Sequence, residues 1–326
     1  MIPDQTVAWL RGAASVFTTT LTGLAFETIP FLLMGTLLSA VIRNFVPDRV
    51  LQRFFPRNRF LSILVALGVG VFVPICECGT VPLARRLRQK GLPLSTAAAF
   101  LLAAPLVNPM TIISTWIAFR GSAFPVFAMR LGFGLGSALL IAVIVELATR
   151  KRPSIDIRDR PTQFAPLGTG RLPAPPRLAS RDAAAKTTFL RRAAATLEHA
   201  SYDFLDTGRY LVLGITLAAA ARAVIPSSAI QGAMWNPPEA VGTGLFSAYV
   251  LSLCSSADAF VARSIFGPVS YSASLAFLAL GPMIDLKNTV LLSRFLRPRH
   301  LAAFVGIVFL VVGCLVLAGT PIWEII

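Results

Sequence analysis

The chain has 326 residues, of which 55% are hydrophobic and only 14% charged, with a mean hydropathy of +0.72. A soluble domain carries about 25% charged residues, so a water-soluble globular protein is excluded. The net charge of +15 would suit nucleic acid, but the basic residues gather at the edges of apolar runs, as in the positive-inside pattern of membrane proteins. No nucleic-acid partner is expected.

The opening "MIPDQTVAWLRGAAS" lacks a basic region followed by an apolar core and a small-residue cleavage site, so no removable signal peptide is expected. Apolar runs near the ~20 residues that cross a bilayer occupy 16–42, 94–119, 124–148, 204–225, 271–293 and 301–323. Two shorter ones, 61–75 and 240–254, have the length of re-entrant or buried segments. Each ends in a polar knot of small residues, "CECGT" in the first and "CSSAD" in the second. Between the two sets lies 149–199, rich in Pro, Arg and Ala, with the composition of a flexible basic linker. Its end, "FLRRAAATLEHASYDFLDTG", is expected as a short interfacial amphipathic helix. The chain thus divides into a first membrane repeat (1–148), a cytoplasmic linker (149–199) and a second membrane repeat (200–326).

The two repeats are related. "ETIPFLLMGTLLSAVIRNFVP" (27–47) aligns without gaps on "DTGRYLVLGITLAAAARAVIP" (206–226), with seven of 21 positions identical. These include Gly35 with Gly214, Arg43 with Arg222 and Pro47 with Pro226, and Glu27 falls on Asp206. Farther on, Cys76 falls on Cys254, Arg85 on Arg263, Pro105 on Pro282 and Asn108 on Asp285. Generic apolar helices match at Leu and Ala, but do not reproduce an order of acid, Gly, Pro, Cys and Pro, so an internal duplication is expected.

Basic residues number five in 43–59, four in 85–90, eleven in 149–192 and three in 294–299, together 23 of the 30. If 61–90 crossed the membrane fully, the first two clusters would face opposite sides, against the positive-inside rule. If it enters and leaves on one side, all four clusters become cytoplasmic. The expected fold is an all-α polytopic membrane protein made of an inverted duplication, each half having about three transmembrane helices plus one re-entrant or broken helical hairpin. The alternative is eight simple spans.

In that fold the two hairpin tips meet near mid-depth, where non-helical backbone must be buried or line a wet cavity. Cys76 and Cys78, separated by Glu77, can jointly hold a soft atom, and Cys254 can add a third sulfur. Cys314 reads as an inert apolar residue. Ser255, Ser256 and Asn108 supply polar groups beside them. Glu27, Glu77, Asp258 and Asp285 are acids in apolar surroundings and are expected to carry protons or to set the pathway. Lys287 stands beside Asp285, and that pair, like Asp206 with Arg209, also reads as a structural ion pair.

Other chemistries lack residues. There is no G-x-x-x-x-G-K-[ST] loop and no H-E-x-x-H, and His199 and His300 stand alone, so neither a built-in ATPase nor a histidine metal site is expected. "GFGLGSALL" (132–140) reads as a close helix-packing stripe. No enzyme activity and no cofactor are expected.

At "PICECGTVPLARRLRQKGLPLSTAAAFLLAAPLVNP" and "SLCSSADAFVARS…LAFLALGPMIDLKN", the chain resembles the predicted permease family that includes YraQ and the ArsP organoarsenical efflux permeases. The resemblance covers essentially everything outside 149–199. It implies a bacterial inner-membrane permease and, for the arsenical branch, export of trivalent methylated or aromatic arsenicals against protons. Carried onto this chain, its thiol positions are Cys76, Cys78 and Cys254. The resulting expectation is a secondary transporter exporting a small thiophilic solute in exchange for protons. The partners expected are the lipid bilayer and a small-molecule or soft-ion substrate, and self-association into a homo-oligomer is compatible with this. The alternatives are a permease for an unrelated metabolite or metal ion with structural cysteines, and a membrane scaffold acting through the basic linker.

Overall fold

The computed structural model describes residues 4–45, 55–56, 58–69, 77–121, 123–151, 189–224, 236–255, 257–266 and 270–323. Among these the chain is nearly all helical, with twelve helices and no strand. The first half carries α1 (Asp4–Phe45), α2 (Arg59–Val69), α3 (Glu77–Gln89), α4 (Leu94–Ala103), α5 (Pro109–Ala118) and α6 (Ala123–Lys151). The second carries α7 (Phe189–Val224), α8 (Pro237–Leu251), α9 (Asp258–Ile265), α10 (Tyr271–Leu280), α11 (Leu286–Ser293) and α12 (Pro298–Trp323). The order of long, four short and long is the same in both halves.

Four helices, α1, α6, α7 and α12, are long and apolar enough to cross a membrane. The runs 94–119 and 271–293, which the sequence suggests are single crossings, are instead each split into two short helices. Ten helical residues reach about 15 Å, half of a hydrocarbon core of about 30 Å. The prolines explain the first break. Pro105 and Pro109 remove amide donors, and the vacated groups are served locally. Asn108 caps α5 by accepting from the Met110 amide at 3.0 Å, and Thr111 Oγ1 donates to the Pro105 carbonyl at 2.9 Å. Pro282 stands at the second break, where the Asp285 carboxylate accepts from the Asn288 amide at 2.7 Å. Satisfied breaks of this kind are what backbone needs away from water.

The stretch expected as a separate interfacial helix after the linker is the start of α7, which runs 36 residues without interruption. In the first half, the chain leaves and returns to one level of the molecule. Arg59, at the start of α2, and Ser95, in the first turn of α4, both bind the Glu146 carboxylate of α6, at 2.5 and 2.7 Å.

α1 packs along α7, each long helix also cradling a short one: α3 lies on α1 and α11 on α7. Small residues make this possible. A Cβ on Gly35 would lie 2.5 Å from the Cα of Gly79, and one on Gly214 would lie 2.8 Å from the Cα of Lys287. The "GFGLGSALL" stripe serves packing at Gly134, where a Cβ would meet the Leu106 side chain at 2.9 Å, while Gly132 and Gly136 face open space. Other contacts recur at matching places in the two halves: α2 with α4 and α8 with α10, α4 with α6 and α10 with α12, α5 with α6 and α11 with α12. Two contacts cross between halves in the same way, α3 with α11 and α9 with α5.

Candidate functional site

The crossing contacts bring the helix breaks together. α3 and α9 each begin with an acid, Glu77 and Asp258, 1% exposed in both cases. A carboxylate in a first helical turn is favoured by the helix dipole, yet a charge this deep also needs a counter-ion. Each finds it on another element. Arg130, about two turns into α6 and itself 1% exposed, grips Asp258 with both terminal nitrogens, at 3.2 and 2.5 Å, and donates to Thr115 Oγ1 at 2.8 Å. That arrangement ties α5, α6 and α9 with a two-pronged, charge-assisted bond.

Lys287, fully buried in the first turn of α11, is the other cation. Its Nζ pairs with Asp285, stands 3.0 Å from Glu77 Oε1, and donates to the carbonyls of Ser252 and Leu253 at 3.1 and 3.3 Å. Those two carbonyls are left over where α8 ends, at Ser252 in a left-handed conformation (φ 48°). The Ser252 hydroxyl in turn accepts from the Leu286 amide at 3.1 Å. Lys287 therefore closes the break after α8 while binding the start of α3. Among the described residues, Glu77 Oε2 is buried with no hydrogen-bond partner.

The two pairs form one electrostatic unit, because Glu77 lies close enough to act on both Asp258 and Asp285. Among the described residues the unit holds three carboxylates, Glu77, Asp258 and Asp285, and two cations, Arg130 and Lys287. Two thiols border it. Cys78, in the first turn of α3, and Cys254, just after the α8 break, share one buried cluster with Leu24 and Leu32 of α1 and Leu211 and Ile215 of α7. Both lie within electrostatic reach of Lys287. The structure thus holds thiols from both halves, two ion pairs and two helix breaks in one buried place.

The comparisons with known proteins bear on what such a place belongs to. The family profile described as "Predicted permease", of ArsP type, matches residues 13–319. The chain belongs to the ArsP-type predicted permease family. The UPF0718 protein YcgR of Bacillus subtilis is 35% identical over 294 residues, covering 90% of this chain and 92% of its own. A Streptococcus mutans protein named as a putative two-component membrane permease complex subunit is 30% identical over 295 residues, covering 89% and 91%. The UPF0718 protein YraQ of Escherichia coli is 29% identical over 120 residues, 37% of this chain and 34% of its own. No solved structure matches the chain significantly.

In this multi-pass permease the residues singled out from sequence fall into three groups. Glu77, Cys78, Cys254, Asp258, Asp285 and Lys287 lie in or against the buried unit, with Ser255 buried beside Cys254. Asn108 is buried as the cap of α5, and Glu27 is half-buried on α1, one turn from Leu24 of the thiol cluster. Cys76 and Ser256 lie outside the described residues. Cys314 is exposed on α12, as an inert residue can be. Asp206 pairs with Arg209 at 2.7 Å and also binds Arg294 at 2.9 Å. Sequence reasoning missed Arg130, Thr115 and Ser252. Arg130 had a signal, as a single arginine inside the apolar run 124–148.

Proposed function

We propose that this permease is a secondary transporter that exports a small thiophilic solute, of the kind represented by trivalent organoarsenicals, across the bacterial inner membrane in exchange for protons. The observation that carries the reading is the placement of Cys78 and Cys254 beside a buried charge unit of, among the described residues, three carboxylates and two cations. Soft sulfur ligands select soft centres, and ionisable groups buried in a membrane protein serve ion and proton pathways. In this reading Cys76, Cys78 and Cys254 bind the solute with Asn108, Ser255 and Ser256 around it, while Glu27, Glu77, Asp258, Asp285 and Lys287 carry or gate the proton. No bond of the cargo is broken, so the protein is no enzyme.

The recurring helix order supports an inverted duplication, and the return of the chain at Glu146 supports a re-entrant hairpin with the basic segments, 149–199 among them, in the cytoplasm. The name carried by the Streptococcus mutans relative favours one addition, a second subunit working with this chain.

The test is solute uptake into everted membrane vesicles, with phenylarsonous acid as the probe. Cys78→Ser and Cys254→Ser should each reduce proton-driven uptake by about tenfold or more, the effect of losing a bond of ~1.4 kcal/mol or more. Uptake by both variants at the wild-type rate would remove the thiol site.

A further inference from the structure

One cavity of about 930 Å³ lies between α3, α4, α6, α11 and α12. Its walls differ in character. Val145 and Ile144 of α6, Ala98 and Leu101 of α4, and Phe304 and Ile307 of α12 make one side apolar. The other carries Arg85, Arg88 and Gln89 from α3, Arg297 just before α12, and His300 in its first turn. Among the described residues, no carboxylate lines it.

The Arg85 guanidinium lies over the Phe295 ring at 4.7 Å, a stacking that fixes its plane. His300 Nδ1 is buried with no hydrogen-bond partner among the described residues. Three guanidinium groups and an imidazole beside an apolar wall form a receptor for a negative group attached to an apolar body.

The cavity also leads somewhere. Glu77, Val81, Arg85 and Arg88 follow the three- and four-residue steps of one helix face, and from Glu77 to Arg88 α3 advances about 16 Å. Val81 and Arg85 line the cavity, so its inner end is one helical turn from Glu77. We infer that this cavity is a vestibule that binds an amphiphilic organic anion, a single acidic group on an aromatic or aliphatic body, at the basic end of the path to the buried unit. Its position on a transport path rests on the permease reading. Its ligand preference rests only on its lining.

The test is equilibrium binding to the purified full-length protein in phosphatidylcholine nanodiscs, with naphthalene-2-sulfonate against the neutral naphthalene-2-sulfonamide. Sulfonate should bind about tenfold more tightly, the effect of one or two charge-assisted hydrogen bonds. Arg85→Gln with Arg297→Gln should erase that preference, and Arg85→Lys with Arg297→Lys should retain part of it. Ala303→Phe, which fills the apolar side, should weaken both ligands. Equal binding of sulfonate and sulfonamide, or an intact preference in the Gln pair at an unchanged melting temperature, would overturn the proposal. Phosphatidylglycerol added to the nanodiscs then identifies the source of the anion. Displacement of the sulfonate assigns the site to an anionic lipid, and no displacement assigns it to a soluble solute. Since no flux is measured, failure of the thiol-site transport leaves this result standing.

Discussion

Arg130 and Asp258 are both almost completely buried and grip each other through two nitrogen–oxygen contacts. Removing one partner strands the other charge away from water, which costs about 3–5 kcal/mol. Asp258→Asn should therefore lower the melting temperature sharply, whereas Asp258→Asn with Arg130→Met should recover most of the loss. A single variant as stable as the wild type would show that the pair does not lock α9 to α6. Glu77 is differently placed, because Lys287 also pairs with Asp285 and donates to two carbonyls. The ionisable residues themselves were visible in the sequence as charges in apolar runs. Their pairing was not, since Arg130 and Asp258 are 128 positions apart and only the crossing of α5 and α6 with α9 makes them neighbours.

At the scale of the helices, backbone proximity decides what changes are tolerated. The α1–α3 contact is closed at Gly35, where a methyl group would meet backbone atoms of Gly79 rather than a movable side chain. Gly35→Ala should destabilise by about 1–3 kcal/mol, as overpacking does, and should also disturb the placement of Cys78 next door. Gly23→Ala, on the same helix with nothing within 4 Å, should stabilise by about 0.5–1 kcal/mol through helix propensity alone. Thermal unfolding in detergent separates the two, and equal behaviour would mean that α1 does not rest on the α3 tip. Hydropathy revealed the long helices, and the repeat of Gly35 at Gly214 foretold that these glycines matter. The splitting of 94–119 and 271–293 was harder to read. Apolar composition continues across each break, and only Asn108 and Asp285, acting as caps, mark where the helix restarts.

For the whole molecule, the paired order of helices places a thiol and an acid from each half around one buried unit, with the arginine-lined cavity opening a turn of α3 away. Under the exchange proposed above, cargo and proton would alternate at one place, because Cys78 and Cys254 both lie within electrostatic reach of Lys287. The direct measurement is lumenal pH in proteoliposomes of the purified protein when phenylarsonous acid is added outside. The account predicts proton movement that needs both protein and solute, is lost in Glu77→Gln although that variant stays folded, and falls about tenfold in Cys254→Ser. No solute-dependent proton movement above protein-free liposomes, or the same movement in wild type and both variants, would contradict it.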